Sequence, residues 1–436
     1  MKIKKDYFFC SLKLLRNIDE IREIDDCLSR SHNQCPFKQS HGLIDSGDNI
    51  MKIAVIGAGL MGPAITKDCL EDQGVEEVLL VDIDAERLRH VAEELGNPTK
   101  LKTIIQDVTD REGLAQVLEG YDAVGVALLE PLNTHAIWGA IDAGVGVVEL
   151  SEPSDEDVEA IDEAAKKAGV AIIPGCGVEP GLTDLLAAQG MDMLDSVEAV
   201  DIWCGGIPED PKPPLDYKIV FGGPYLPLWP GKVKVIENGE VRYRDRYSLG
   251  DPPRFDGIDR PLECFYDGFP ETLHLVEKFE GVQRCTEMTV RYEGYCEKVN
   301  FLDECGLLSR EPIEFRGREI VPFAAFSKII HPKVRLEEEE RDITVLRVKV
   351  KGEKDGQEIL YTYDMVDRYD NEERVTSMAK TTSYTAAIVA RMMAKGEIDL
   401  TGYVEPVRVI RGEKMDELLA ALDARSVKIT KTVTHA

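Results

Sequence analysis

MKIAVIGAGLMGPAITKDCLEDQGVEEVLLVD, residues 51–82, is the stretch whose reading decides the fold. A short apolar run, Ile53 to Ile56, leads into Gly57-x-Gly59-x-x-Gly62, then a helical pattern, then a second apolar run ending at Asp82. This is the order of a βαβ unit that binds a dinucleotide. Gly57 allows the tight turn and Gly59 lets the backbone approach a pyrophosphate. Gly62 lets the helix pack closely, with its N-terminus facing the phosphates. Leu60 and Met61 complete the cofactor turn. A lone GxGxxG is usually just a flexible loop, but strand, helix, second strand and acid together specify a dinucleotide. Asp82 stands where a carboxylate accepts the adenosine ribose hydroxyls. It repels the 2′-phosphate of NADP, and Ile83 and Asp84 follow it, with Arg87 a little further on. NAD is therefore expected over NADP. Asp107 and Val108, after a strand at 102–106, are expected on the adenine side by position.

At 436 residues the chain has room for two or more domains with their own cores. A hydrophobic content of 43% and a charged content of 31% read as a globular protein. A net charge of −29 argues against nucleic acid, whose phosphates demand a basic surface, and against an anionic membrane face. The acidity reads as adaptation to salt or as ordinary solubility through self-repulsion, and lysines at 328–333 and 349–354 favour the latter. Ten cysteines are scattered without a CxxC pair, and no histidines have metal-ligand spacing. Neither a disulfide framework nor a metal is implied, and a reducing, cytoplasmic setting is expected. No apolar stretch approaches the roughly 20 residues that span a bilayer. The N-terminus makes a poor signal peptide, because Lys13 and Arg16 interrupt its apolar patch.

Residues 1–50 are polar and charged without sustained periodicity. They are expected to be an extension, poorly ordered or an over-called start ahead of Met51. From 51 to 176 strands and helices alternate, which predicts a doubly wound parallel sheet with its crevice at the strand carboxyl ends. Beyond Pro174 the pattern changes to strands with one covered face, at 197–204, 217–221, 233–237, 286–293, 343–351 and 358–365. The expectation is an α/β protein: a Rossmann sheet (51–176) with an inserted α+β mixed-sheet catalytic and dimerisation domain (177–374). A C-terminal helical segment (375–436), opened by a long helix at 377–394, returns to the Rossmann domain.

Further segments carry a family resemblance. They are Ile173-Pro-Gly-Cys-Gly-Val-Glu-Pro-Gly-Leu-Thr-Asp-Leu185, Gly205-Gly-Ile-Pro208 with Pro213-Pro-Leu-Asp-Tyr217, Thr289-Val-Arg-Tyr-Glu-Gly294, and Met378-Ala-Lys-Thr-Thr-Ser-Tyr-Thr-Ala-Ala387. In this order, with the nucleotide motif, they resemble the saccharopine dehydrogenase family, most of all its branch containing L-lysine 6-dehydrogenase. Residues 1–50 and 301–315 depart from the family pattern. The resemblance implies hydride exchange at a carbon bearing nitrogen, on a small lysine-like amino acid, by a homodimer. Saccharopine reductases that form glutamate and carboxynorspermidine dehydrogenases are the related alternatives. A nucleotide-binding protein without turnover is the alternative of another class.

Oxidising an amine requires removal of one proton from nitrogen, so that its lone pair can drive hydride out; the imine is then hydrolysed. Glu179, in the turn after the last parallel strand, is placed to hold the substrate ammonium or take its proton; otherwise it is a solvated loop acid. Asp184 either binds substrate or complements the start of the next helix. His135, opening the helix after the strand at 123–128, either shuttles a proton or caps and packs. Glu152, beside Ser151, either touches the nicotinamide or the amine or is another loop acid. Asp216 and Tyr217 follow the proline loop, and Tyr217 either reaches the substrate or packs. Arg291 is expected to fork the substrate carboxylate, its rival role being a cross-strand ion pair. A second crevice arginine, for which Arg254 is the candidate, would point to saccharopine.

Overall fold

The computed structural model describes residues 50–221 and 226–435. The expected N-terminal extension falls outside these residues except for Ile50. The first half alternates without exception: β1 (Met51–Ile56), α1 (Gly62–Glu71), β2 (Val75–Asp82), α2 (Ala85–Glu94), β3 (Leu101–Ile105), α3 (Arg111–Leu118), β4 (Ala123–Val126), α4 (Leu132–Ala143), β5 (Gly146–Glu149), α5 (Asp155–Ala168) and β6 (Ala171–Ile173). Consecutive residues of β1, β4 and β5 are buried on both faces, because helices cover both sides of a parallel sheet. α1 begins directly at Gly62-Pro63, where proline's missing N–H costs nothing. A side chain at Gly62 would collide with the carbonyl of Gly57, so only glycine lets the helix start this close to β1. α2 is capped by Asp84, whose carboxylate accepts from the N–H groups of Glu86 and Arg87.

The second half runs α6 (Leu182–Asp192), β7 (Ser196–Pro208), β8 (Lys232–Glu237), β9 (Glu240–Asp245), β10 (Leu249–Gly250), β11 (Leu262–Gly268), β12 (Arg284–Tyr292), α7 (Tyr295–Glu304), β13 (Ile313–Phe315), β14 (Arg318–Ile320), α8 (Pro322–Val334), β15 (Asp342–Lys354) and β16 (Gln357–Arg368). It closes with α9 (Ser377–Ala394), β17 (Gly402–Tyr403), α10 (Pro406–Val409), α11 (Glu413–Ala424) and β18 (Thr430–His435). β15 and β16 form one long hairpin turned at Asp355-Gly356, both with positive φ, as a twisted two-residue turn requires. The strand expected at 217–221 is not formed: only Ile219 makes a bridge, to Arg335. The Pro213-Pro214 pair and the left-handed Asp216 (φ 54°) break the extended run, and Tyr217 is drawn into an aromatic cluster instead.

Seven parallel strands pair in the order β17-β6-β5-β4-β1-β2-β3, so the chain reverses direction between β1 and β4, where a nucleotide crevice opens. A nine-stranded mixed sheet runs β10-β11-β12-β7-β15-β16-β18, with β8 and β9 added on β12. α9 lies between the sheets, packing on α1, β1, β4 and β5 of one and on β15 and β16 of the other, with all but three of its 18 residues buried. Polar groups fix it there. The Ser383 hydroxyl donates to Met61 O at 2.9 Å, and Asp68 of α1, fully enclosed, receives the guanidinium groups of Arg391 and of Arg425 just past α11.

Asp68→Ala leaves the half-buried Arg425 guanidinium without its carboxylate and the buried Arg391 with Asp72 alone, 3.2 Å from its Nε. The expected loss is about 3–5 kcal/mol, read from the urea midpoint. A loss under about 1 kcal/mol would place this contact with surface ion pairs.

Candidate active site at the carboxyl ends of the parallel strands

The glycine turn fits a pyrophosphate on its own geometry. Gly59 faces open space, and α1 starts without a side-chain cap or an acid in its first turn, which leaves its N–H groups for an anion. Leu60, Ile83, Ile105, Leu129 and Leu132 are exposed apolar side chains at the carboxyl ends of β1 to β4, the surroundings that flat aromatic bases need. Asp82 ends β2 nearly buried. It accepts from Ala58 N at 2.7 Å and Asp84 N at 2.9 Å, and Arg87 approaches it at 3.3 Å. The carboxylate is thus pre-oriented by the turn it serves. Asp107 lies exposed after β3, holding the Thr109 N–H and hydroxyl, and Val108 packs inward. Met61 is buried beneath the turn.

On the other side of the crevice Glu149, the last residue of β5, is fully buried. Its Oε1 accepts from Asn133 Nδ2 at 2.5 Å and lies 2.8 Å from the Ser151 hydroxyl, while Oε2 has no partner. Asn133 also donates to Glu152 O, so it ties the start of α4 to the loop after β5. Burial pushes the Glu149 carboxyl up to about 7, against the two hydrogen bonds that favour its ionised form.

A third set of residues faces the crevice from the mixed sheet. The period of two along β12 puts Cys285, Glu287, Thr289 and Arg291 on one face, and Met288, Val290 and Tyr292 in the separate core behind. Arg291 is buried, its guanidinium 4.7 Å over the Tyr217 ring and 5.7 Å over the Tyr295 ring. Tyr295 is held at the head of α7 by Glu263, which accepts the N–H groups of Gly294 and Cys296. One Arg291 N–H goes to Val290 O; its Nε and the Tyr217 hydroxyl have no partner, and no carboxylate pairs with it among the described residues. Beside it Asp267 of β11 takes Arg246 and the Thr289 hydroxyl.

The segment 173–185 delivers its acid into this chamber. Gly181 (φ 128°) folds back on Gly177, and a side chain there would strike the Gly177 backbone, so the turn is built for glycine. Glu179 at its tip and Glu287 on β12 bring their carboxyls within hydrogen-bonding reach, next to the Cys204 thiol. Both side chains retain some exposure. Burial raises both carboxyls; Asp267 adds to this in each, while the contact between the two lowers Glu179 and raises Glu287, which ends well above the ordinary range. Asp184 is buried, accepts from the Thr183 and Thr272 hydroxyls at 3.1 and 2.7 Å, and is pushed by burial up to about 6. Glu152 at the mouth is raised by its enclosure and then by Asp184, Asp155, Glu405 and Glu271, although over a third of its surface is open.

Of the residues singled out from sequence, Glu179, Asp184, Tyr217 and Arg291 come together in this chamber, with Glu152 at its mouth. His135 does not: it is exposed on the outer side of α4, and the electrostatic neighbour it acts on is Asp107. Asp216 is taken by Lys298 of α7, and Arg254 is exposed. Glu287, Asp267, Arg246, Glu149 and Asn133 were missed. Strand alternation counted back from Arg291 would have found Glu287; nothing local marks the others.

A family model of the saccharopine dehydrogenase NADP binding domain matches residues 53–173, and one of the saccharopine dehydrogenase C-terminal domain matches residues 177–427. Carboxyaminopropylagmatine dehydrogenase of Synechocystis sp. is 24% identical over 389 residues, 84% of this chain and 93% of its own. The L-glutamate-forming saccharopine dehydrogenase (NADP+) of Schizosaccharomyces pombe is 24% identical over 386 residues, 70% of this chain and 83% of its own. The mitochondrial alpha-aminoadipic semialdehyde synthase of Mus musculus is 23% identical over 436 residues, and the match takes in only 45% of that longer protein. Among solved structures, apo saccharopine dehydrogenase (L-Glu forming) from Saccharomyces cerevisiae shares the fold with a TM-score of 0.71 at 19% identity, over 88% of this chain and 100% of that one.

Because Glu149 is raised by burial, folding favours its protonated form. That contribution is full below about pH 4.5 and is lost as the pH rises to about 7. Glu149→Gln keeps an acceptor for Asn133 and does not ionise. Its stability relative to wild type should therefore increase between pH 4.5 and 7 and then level off. Urea midpoints that differ by the same amount at every pH would contradict the assignment.

Proposed function

This chain belongs to the saccharopine dehydrogenase family, and we propose that, as an NAD(P)-dependent oxidoreductase of that family, it acts on the C–N bond of a small amino acid with one carboxylate and at least two cationic nitrogens. The observation that carries this is the charge in the chamber. Glu179, Glu287, Asp184, Asp267 and Glu152 face it, against one guanidinium, Arg291, that no carboxylate holds. The second arginine, Arg246, is committed to Asp267. Saccharopine brings three carboxylates and would meet repulsion here. L-Lysine is a small member of the favoured class, and carboxyaminoalkyl polyamines such as carboxynorspermidine are larger ones. The surplus of acids favours the larger, as does the likeness to a carboxyaminopropylagmatine dehydrogenase along nearly all of its length.

In this reading the Arg291 fork, stiffened between two tyrosine rings, holds the substrate carboxylate and sets the register of the chain. The carboxylates then seat the nitrogens, and the enclosed walls strengthen each of these contacts by excluding water. Bound NAD supplies the hydride acceptor. NAD is favoured over NADP because the turn holds the Asp82 carboxylate where a 2′-phosphate would lie, though Arg87 stands beside it.

Two further parts of the reading concern setting. A homodimer through the mixed sheet is supported by its edge strand β18, which pairs on one side only and is exposed along its length. A reducing, cytoplasmic compartment is supported by six buried cysteines and exposed Cys305, all unpaired among the described residues.

The deciding experiment follows reduced-cofactor absorbance with L-lysine, carboxynorspermidine, carboxyaminopropylagmatine and saccharopine, each with NAD and with NADP. A carboxyaminoalkyl polyamine with NAD should react fastest and saccharopine slowest. No signal from any of the four, in protein that binds NAD, would sink the amine-oxidising role, and faster turnover with NADP would reverse the Asp82 argument. Light scattering should give twice the chain mass; a single-chain mass would remove the dimer.

A further inference from the structure

Glu179 and Glu287 present a problem that the charge of the chamber alone does not explain. A single carboxylate suffices to seat an ammonium, yet here two are brought together from different elements, with no cation between them among the described residues. Glu179 comes from the turn after β6 and Glu287 from β12. The enclosed Oε1 of Glu179 has no donor, and the groups against that carboxyl are the Glu287 carboxyl and the Cys204 thiol. Two carboxyls in hydrogen-bonding reach of one another repel when both are ionised, and one proton held between them relieves that repulsion. The surrounding charges add to this. Asp267 on β11 faces both carboxyls and Asp184 on α6 faces Glu287 with negative charge, while Arg291 on β12 acts on Glu179 as a cation. Arg291 and Tyr217, 5% and 1% exposed, each leave a polar atom unpartnered in the same chamber. The site is therefore open to a ligand carrying both an anion and a cation.

We infer that Glu179 and Glu287 act together as the catalytic base: the substrate's reacting nitrogen sits across the two carboxyls and passes them its proton before hydride leaves. The inference rests on the amine-oxidising reading above. On binding, the ammonium R–NH2+–CH2R′ displaces the shared proton to solvent. One N–H proton then moves to the pair, leaving the neutral amine with its lone pair. The C–H bond breaks with its electrons going as hydride to oxidised nicotinamide, while the nitrogen lone pair forms the C=N bond of R–NH+=CHR′. Water adds to that carbon, and the C–N bond breaks to give R–NH3+ and the aldehyde. A lone carboxylate of ordinary basicity, near 4.3, is poorly matched to an ammonium near 10. Two enclosed carboxylates holding one proton between them bind it more tightly and narrow the mismatch, as general-base catalysis requires. Glu287 is thus the residue that makes Glu179 an adequate base.

Glu287→Gln tests this, since it keeps the shape and removes a buried charge, so folding should be retained and is checked by the melting shift with NAD. Its kcat at pH 7.5, on whichever of the four amines turns over fastest in wild type, should fall about 100-fold or more. It should recover towards about pH 9–10, where the amine arrives already neutral. Calorimetry of that amine binding to the NADH complex, in phosphate and in Tris at pH 7.5, should show release of about one proton in wild type and almost none in the variant. A variant within threefold of wild type, a loss equal at every pH, or no proton release in wild type would each overturn the paired base while leaving the oxidation of amines intact. Wild-type protein that oxidises none of the four amines would instead overturn the reading beneath it, and the base with it.

Discussion

The burial of α9 between the two sheets is the constraint on which the rest of the structure depends. The nucleotide turn belongs to the parallel sheet, and the carboxylate-rich face belongs to the mixed one. Neither alone encloses a substrate. α9 sets their separation by packing against both, and its buried charges are met by carboxylates: Arg391 by Asp68 and Asp72, and Lys380 by Asp367. The same helix passes the turn that carries Glu179: a side chain at Gly177 would press on Thr382, and one at Gly206 on Met378. The chamber floor is therefore shaped by a segment about 200 residues further along the chain than the turn it supports.

Enclosure explains why so many acids are raised together. Glu149, Glu179, Asp184 and Glu287 are each pushed up first by loss of water, and the direct neighbours then add to or offset that shift. Such groups destabilise the empty protein above their own titration range, because the folded state prefers them protonated. A cationic ligand relieves that cost by supplying the missing counter-charge. In the proposed reading the chamber is thus strained electrostatically towards a cationic substrate, and Arg291, held between tyrosine rings, would give its carboxylate a rigid partner.

How much of the site was legible from sequence depended on whether its signal was local. Glu179 sits in an unusual glycine- and proline-rich turn directly after a parallel strand and Asp184 in the first turn of the helix that follows, and Arg291 is a charge within a strand pattern, so each announces itself. Glu287 was legible in principle through the period of two, but only once the buried face of β12 was known. Asp267 and Arg246 enter through pairing of strands distant in sequence, and Asn133 through a loop contact with Glu149 across 16 residues. His135 looked eligible because it opens the right helix. On a helix, however, two residues turn a side chain by about 200°, and Asn133 took the inward position while His135 faces solvent.

The sequence by itself determined the parallel sheet, the dinucleotide turn and the change to a mixed sheet. These follow from periodicity and from glycines whose backbone requirements are local. It also carried the family resemblance through ordered short segments. Only the tertiary structure decided that Glu287 meets Glu179, that Arg246 is spent on Asp267, and that Arg291 is left without a carboxylate. Those outcomes are set by which faces of two separate sheets are pressed together and how far water is excluded between them. Charge in a chamber is a property of that enclosure, and no stretch of chain contains it.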